Sequence, residues 1–137
     1  MYVLDTDHLS LNLRGHPKIR ERLVLIPADE IAITIITAEE QLRGRLAQVS
    51  KAASGHARAI AYVYLRKAII DLAKLNILDY DADSDSIFQG LKLQRIRAGS
   101  QDLRIAAVTL ANRALLVTRN RTDFANVPGL MLEDWTI

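Results

Sequence analysis

The chain has no cysteine, few histidines and no long apolar run. Without cysteine it can form neither a disulfide nor a thiolate zinc site. His8, His16 and His56 are scattered, and their spacing fits neither a zinc site nor a Ser-His-Asp triad. No apolar run reaches the roughly 18–20 residues that span a bilayer, and the first residues lack the basic and apolar stretches of a signal peptide. We therefore expect a cytoplasmic protein with no membrane partner.

A strong charge of either sign is also lacking, because the formal net charge is only +2. That balance is too mild to indicate nucleic-acid binding by itself. If several carboxylates gather at one site, however, the remaining surface is more basic than the total suggests. With 137 residues, half of them hydrophobic, the chain is long enough to bury a real core. We expect one domain over residues 1–137.

Short apolar runs alternate with amphipathic stretches along the chain. The apolar runs predict β-strands at 2–4, 31–36, 77–78, 115–117 and 130–132. Helices are predicted from residue 6, from residue 17, after residue 37, over 56–75, over 84–98 and from residue 100. This alternation predicts an α/β fold in three layers, α/β/α, with a mainly parallel central sheet.

Several residues are expected to mark helix boundaries. Thr6 or Asp7 can cap the first helix, and Thr37 with Glu40 fits a capping box. Gly99 is the expected end of helix 84–98. That helix is basic through Lys92, Arg95 and Arg97.

Four acidic residues lie where a predicted strand or helix ends or begins: Asp5, Glu40, Asp102 and Asp123. In an open parallel sheet, carboxylates at the carboxyl ends of strands, or in the first turn of the next helix, converge on one crevice. Carboxylates without cysteine suit a hard cation such as Mg²⁺ or Mn²⁺. Such a site performs phosphodiester cleavage, so the sequence indicates a metal-dependent nuclease.

Each acid also has a purely structural interpretation. Asp5 can cap the helix that follows it. Glu40 competes with Glu39, and because neighbours on a helix point about 100° apart, only one of them can face the crevice. Asp102 lies in a first turn, where the helix dipole alone favours an acid. Asp123 can simply end a turn.

Four stretches together match one known family in order and spacing: 2–7, 36–44, 102–107 and 116–124. The last part of the sequence is similar as well, through Val127-Pro128-Gly129-Leu130 and Glu133-Asp134-Trp135. On these residues the chain resembles the PIN-domain ribonucleases, and most closely the VapC-type toxins of prokaryotic toxin–antitoxin pairs. The resemblance implies a PIN-like fold and a Mg²⁺-dependent endoribonuclease, with Mn²⁺ as a possible alternative. It also implies single-stranded or looped RNA as substrate, and products with a 5′ phosphate and a 3′ hydroxyl.

The resemblance maps the catalytic and metal-binding acids onto Asp5, Glu40, Asp102 and Asp123, and it favours Glu40 over Glu39. Some relatives place the fourth acid at the position of Asn120, so Asn120 and Asp123 remain alternatives. Residues expected to orient the carboxylates are Thr6, Asp7, Thr118 and Asn120. Asp7 is a departure, because relatives often carry Asn there. Arginines that could hold RNA phosphates, or be ordinary surface, are Arg43, Arg45, Arg119 and Arg121.

The resemblance further implies a homodimer and a cognate antitoxin protein, a segment of which fills the acidic groove. The predicted helix pair over 37–75 can serve either contact, or it can be plain core packing.

Three other functions compete with this one. Asp5-Thr6-Asp7 after a strand also fits a haloacid-dehalogenase-like phosphatase, although that family's downstream lysine and acidic pair cannot be placed. A DNA-directed nuclease of the same fold and an inactive PIN-like module that only binds protein or RNA are the others. Clustered like charges argue against the inactive module, because without chemistry they would only repel one another.

Overall fold

The computed structural model describes residues 1–137, which form five strands and seven helices. The strands are β1 (Tyr2–Leu4), β2 (Ile31–Thr34), β3 (Ile77–Leu78), β4 (Leu115–Val117) and β5 (Met131–Glu133). The helices are α1 (Thr6–Leu13), α2 (Pro17–Val24), α3 (Ile35–Lys51), α4 (Gly55–Ala73), α5 (Ala82–Leu93), α6 (Ser100–Ala111) and α7 (Arg121–Phe124), and a short 3-10 turn spans Ala28–Glu30.

All five strands are parallel, in the order β3-β2-β1-β4-β5. The chain builds outward from β1 to β3 on one side and then returns to add β4 and β5 on the other. The order therefore reverses between β1 and β4, where Tyr2 pairs with Leu115 and Leu4 with Val117. Ligand sites of open α/β sheets form at such a reversal, outside the carboxyl ends of the strands.

The sheet separates two cores, because successive strand residues point to opposite faces. Val3 and Leu116 pack on one face with the α6 residues Ala106 and Ala107. Leu4 and Val117, their neighbours in sequence, pack on the other face with residues of α1, α2 and α4, among them Leu9, Ile19 and Leu72. The sheet therefore has helices on both sides, which confirms the predicted three-layer fold. The small side chains at 106 and 107 are fully buried and let α6 approach the sheet closely.

The predicted start of the first helix at residue 6 is confirmed, but its cap and the start of α3 differ from the prediction. Helix α1 is capped by Asp5, whose side chain accepts the His8 amide, and neither Thr6 nor Asp7 is the cap. The second strand ends at Thr34, and α3 starts at Ile35 with Thr34 as its cap. The Ile-rich stretch 31–36 resembled one strand because short apolar runs do not distinguish a strand from a buried helix start. The capping box between Thr37 and Glu40 therefore does not form.

The later boundaries also differ from the sequence prediction. Helix α5 covers 82–93 and ends before Arg95, which takes a left-handed conformation with φ 55°, so Gly99 is not its end. Gly99 instead precedes the first residue of α6. The last strand is shifted by one residue, to 131–133, and the short helix α7 was not predicted.

Helices α3 and α4 form the predicted hairpin, with Ser54 capping α4. Much of α4 remains in contact with solvent despite its apolar sequence, and Val63 is 67% exposed. None of the helices combines the length and the hydropathy needed to cross a bilayer.

Candidate active site

A pocket of about 330 Å³ opens where β1 and β4 end. Its lining residues come from the ends of these strands and from the helices α1, α3, α6 and α7: Asp5, Thr6, Asp7, Glu40, Asp102, Ile105, Arg119, Asn120 and Phe124. Three of the four predicted acids therefore share one pocket, although they are far apart in the chain. The fourth, Asp123, is not part of this lining.

Asp5 is placed in the pocket by the end of β1. Its backbone amide continues the sheet by donating to the Val117 carbonyl at 3.1 Å. Its Oδ1 accepts the His8 amide at 2.8 Å, which caps α1. The residue is only 6% exposed. The cap uses Oδ1, so the other carboxylate oxygen remains available to a ligand. Both interpretations of Asp5 are therefore compatible, because the capping bond also orients the carboxylate.

Glu40 reaches the pocket on the second turn of α3. Thr6 donates its hydroxyl to Oε1 of Glu40 at 2.8 Å and lies 3.2 Å from the hydroxyl of Thr37. Glu39 points elsewhere, since its carboxylate pairs with Arg43 at 2.7 Å and accepts from Gln101. The rotation of α3 thus selects Glu40 over Glu39 for the pocket.

Asp102 enters the pocket from the first turn of α6. Burial raises the pKa of its carboxyl above the ordinary range, and the nearby charges of Glu40, Asp123 and Asp5 raise it further. No cation of the protein pairs with Asp102 or Glu40. The pocket therefore holds negative charge that the protein itself leaves uncompensated.

Asn120, rather than Asp123, reaches the pocket from the segment after β4. Asn120 caps the short helix α7, and its Nδ2 donates to the Asp123 carboxylate at 3.1 Å. Thr118 is fully buried and accepts the Asn120 amide at 2.9 Å, which shapes this turn. Asp123 acts on the pocket at longer range, through its effect on the pKa of Asp102.

The four predicted arginines have different surroundings. Arg119 lines the pocket and pairs with Asp7 at 2.6 Å, so two of the expected residues neutralise each other. Arg43 pairs with Glu39, and Arg45 bonds to Gln48 and lies over the Tyr64 ring. Arg121 begins α7, is exposed and makes no ion pair. The structure brings only Arg119 directly into the pocket.

No family model matches the chain, but similar proteins cover nearly its whole length. Ribonuclease VapC1 of Haemophilus influenzae is 29% identical over 99% of this chain and 98% of its own. The crystal structure of VapBC2 from Rickettsia felis, bound to a DNA fragment from the promoter, matches with 30% identity, 98% coverage of both chains and a TM-score of 0.73. The chain belongs to the VapC ribonuclease family. The structure of VapBC-1 from nontypeable H. influenzae also matches, at 25% identity over 99% of this chain and 98% of that one, with a TM-score of 0.78.

The metal ligands that the pocket of this VapC-family protein offers are all oxygen atoms, from the carboxylates of Asp5, Glu40 and Asp102 and the amide of Asn120, since Arg119 already pairs with the carboxylate of Asp7. Oxygen ligands and uncompensated negative charge suit a hard divalent cation. The carboxylates repel one another, and no three acidic or histidine side chains are close enough to form a ready-made metal site. The donor set fits Mg²⁺ or Mn²⁺, and the side chains have to move to bring three carboxylates onto one ion.

Sequence reasoning missed one residue behind the pocket. His8 is fully buried, with Nδ1 at 3.3 Å from the Asp5 carboxylate, and its Nε2 accepts the Trp135 amide at 3.2 Å. His8 thereby connects Asp5 to the end of the chain. The spacing of three residues from Asp5 at a helix start was the available signal, since such pairs are neighbours on a helix surface.

Proposed function

We propose that this chain is a divalent-metal-dependent endoribonuclease, the toxin of a type II toxin–antitoxin system acting in the cytoplasm. One observation carries the proposal: Asp5, Glu40 and Asp102 share a pocket at the reversal point of the sheet, where burial and then the nearby negative charges raise the pKa of Asp102. Crowded carboxylates cost stability, so their presence is explained best by a cation that they hold together.

The residues of the pocket have distinct roles in this proposal. Asp5, Glu40 and Asp102 would hold Mg²⁺ or Mn²⁺, and Asn120 would complete the oxygen ligands. A bound divalent metal lowers the pKa of a water molecule and stabilises charge on phosphoryl oxygens during phosphodiester hydrolysis.

The neighbouring side chains orient these ligands. Thr6 keeps Oε1 of Glu40 turned into the pocket, and the helix α1 cap fixes the Asp5 carboxylate. The Asp123 carboxylate accepts a hydrogen bond from Nδ2 of Asn120 and so orients the Asn120 side chain. Arg119 is the only cation that lines the pocket, and it can contact a substrate phosphate after exchanging its bond to Asp7.

The test compares RNA cleavage by the wild type and two matched variants. Asp102→Asn removes a carboxylate from the first turn of α6, and Asp83→Asn removes an exposed one from the first turn of α5. With a pool of cellular RNA and Mg²⁺ or Mn²⁺, we expect Asp102→Asn to lose more than roughly 100-fold in rate, because even a partner of a metal ligand is worth about 10–100-fold. EDTA should abolish cleavage, and Asp83→Asn should cleave as the wild type does. The pool includes tRNA, since a VapC relative from Salmonella typhimurium is named as a tRNA(fMet)-specific endonuclease.

Metal binding is measured separately from cleavage, by the thermal unfolding midpoint with and without Mn²⁺. A ligand present at about 100 times its Kd stabilises the folded state by about 2.7 kcal/mol. We expect Mn²⁺ to raise the midpoint of the wild type and of Asp83→Asn, and to have a much smaller effect on Asp102→Asn. Cleavage that continues in EDTA, or an equal metal effect on both variants, would contradict the proposal.

We also propose a homodimer and a small antitoxin encoded beside this chain as partners. The Rickettsia felis and H. influenzae relatives were crystallised as VapBC pairs, and α4 offers exposed apolar side chains, including Ile60, Val63 and Ile69, of the kind that mark protein contacts. The mass measured by light scattering should be twice that of the chain, and the adjacent gene product should suppress RNA cleavage when co-purified. A monomer, or full activity in the complex, would contradict these assignments.

A further inference from the structure

A second groove, of about 540 Å³, adjoins the acidic pocket. The loop between α5 and α6 lines one side with Arg95, Ile96 and Arg97, and the α7 region lines the other with Thr122, Asp123 and Asn126. The groove connects to the pocket through Asp123, which is hydrogen-bonded to the pocket residue Asn120. A strand that leaves the acids on this side would therefore pass Arg95 and Arg97.

The acidic pocket and the groove have linings of opposite charge. The acidic pocket is lined by four carboxylates and one guanidinium, whereas the groove is lined by two guanidiniums and one carboxylate. A polyanion is repelled by the first lining and attracted by the second. Binding next to the acids therefore needs cations nearby, and the groove supplies them.

Arg95 and Arg97 are free to bind a phosphate. Both are exposed, and neither makes an ion pair or a side-chain hydrogen bond. Arg43 and Arg119, in contrast, already hold the carboxylates of Glu39 and Asp7. A phosphate has to compete with those carboxylates but meets no competitor at Arg95 or Arg97.

The backbone conformation at Arg95 allows its side chain to be removed by substitution with glycine. Arg95 follows the end of α5 with φ 55°, and the amides of Arg95 and Ile96 bond to the carbonyls of Lys92 and Leu91. This is the Schellman arrangement, in which glycine is the favoured residue at the left-handed position. Replacing Arg95 by glycine thus removes the guanidinium without straining the fold.

The same arrangement occurs once more, at the end of α6. Arg113 has φ 52°, and the amides of Arg113 and Ala114 bond to the carbonyls of Leu110 and Thr109. Arg113 is exposed, but it lies at the far end of α6 from Asp102, before the start of β4. Asp102 is the third residue of that helix, so about 14 Å of helix at 1.5 Å per residue, from Asp102 to Ala111, separates it from the end at which Arg113 lies. Arg113 is therefore a control that matches Arg95 in residue type, conformation and charge.

We propose that the groove lined by Arg95 and Arg97 binds the phosphate backbone of the RNA strand that enters the acidic pocket. This subsite rests on the proposed function, since it gives the RNA a path beside the acids. It also assigns the main phosphate contacts to Arg95 and Arg97 rather than to Arg43 and Arg45 of α3.

The test measures binding of a labelled single-stranded oligoribonucleotide of mixed sequence in Mg²⁺, with Asp5→Asn as the parent so that the RNA stays uncut. The affinity is followed from about 50 to 200 mM salt, because each phosphate contact on a single strand contributes about 0.7 to the slope of log affinity against log salt. We expect Arg95→Gly and Arg97→Ala each to weaken binding and to reduce the magnitude of that slope by about 0.7. Arg113→Gly should match the parent, and both glycine variants should keep the parent's thermal midpoint.

The outcomes separate this proposal from the proposed function. If the wild type cuts RNA and the parent binds it, but Arg95→Gly binds as Arg113→Gly does, the groove proposal is overturned and the nuclease stands. If the wild type neither cuts nor binds the RNA pool, both proposals fail together. An equal loss in Arg95→Gly and Arg113→Gly would also overturn the subsite, because it would reflect overall charge alone.

Discussion

Glu40 depends on a single hydroxyl for its orientation. Thr6 is 34 residues away in sequence, yet its bond of 2.8 Å joins the first turn of α1 to α3. The Thr6 hydroxyl also contacts the Thr37 hydroxyl at 3.2 Å. Hydrogen-bond partners of this kind fix the direction of a metal-binding carboxylate, so the role of Thr6 can be separated from that of the acids.

The first prediction concerns Thr6→Val, which keeps the shape of the side chain but removes the hydroxyl. We expect the cleavage rate and the Mn²⁺ affinity to fall by about 10–100-fold, the usual cost of losing a partner of a metal ligand. Thr6→Ser keeps the donor and should stay close to the wild type. Equal behaviour of the valine and serine variants in Mn²⁺ titrations and RNA cleavage would show that the hydroxyl is not needed.

Asp102 makes the stability of the metal-free protein depend on pH. Its raised pKa means that the folded state binds the proton more tightly than the unfolded chain does. The contribution to stability is fully present below the unfolded pKa, whose ordinary value is 3.8, and it is lost as the pH rises through the folded pKa. At neutral pH the ionised carboxylate therefore destabilises the protein.

The second prediction follows for Asp102→Asn in EDTA. At neutral pH this variant should unfold at a higher temperature than the wild type, and the difference should shrink as the pH falls through the raised pKa of Asp102. Adding Mn²⁺ should reduce or reverse the difference, because only the wild type keeps the ligand. Thermal unfolding of both proteins across this pH range is the measurement, with the exposed Asp83→Asn as control. A wild type that is the more stable one in EDTA at neutral pH would contradict the prediction.

Helix α3 depends on the way in which β2 ends. Thr34 is the last residue of that strand, is fully buried, and its hydroxyl accepts the amide of the equally buried Thr37 at 3.1 Å. This bond sets where the helix begins and therefore which face of α3 carries Glu40. The cap thus connects helix formation with the geometry of the pocket.

The third prediction is that Thr34→Val lowers the free energy of unfolding by about 1–2 kcal/mol, the upper part of the range for a lost helix cap. The buried Thr37 amide has no water to replace the lost acceptor. Ser54→Ala removes the exposed cap of α4 and should cost less, because water can take the place of the serine hydroxyl. Urea unfolding with unchanged slopes would measure both, and equal losses would contradict the role of burial.

The last residues of the chain pack against its first strand. Trp135 is 1% exposed, its ring lies 5.3 Å from the Tyr2 ring, and its indole donates to Glu133 at 2.7 Å. Its amide donates to His8, which contacts Asp5. The end of the chain therefore supports β1 and the acid that follows it.

The fourth prediction is that Trp135→Ala lowers the free energy of unfolding by about 3–5 kcal/mol, as expected for a large buried aromatic side chain. Ile137 is 83% exposed, so Ile137→Ala should change it by no more than about 0.5 kcal/mol. Chemical denaturation of the two variants checks both values. A small loss for Trp135→Ala would mean that the chain end contributes little to the fold.

The sequence alone determined the order of the elements and the approximate position of the acids. Buried parallel strands are continuous apolar runs, so β1 and β4 are recognisable without a structure, and the residues that follow them must meet at one edge of the sheet. That is why Asp5 could be expected beside the segment that follows β4, which carries Asn120 and Asp123.

The tertiary structure decided which side chains face the pocket. Glu40 rather than Glu39 points inward because Thr6 and Arg43 bind the two carboxylates on different sides of α3. Asn120 rather than Asp123 lines the pocket because a one-turn helix folds back after β4. The Thr6–Glu40 contact joins residues 34 positions apart in the chain, and the local pattern of a sequence does not contain that information.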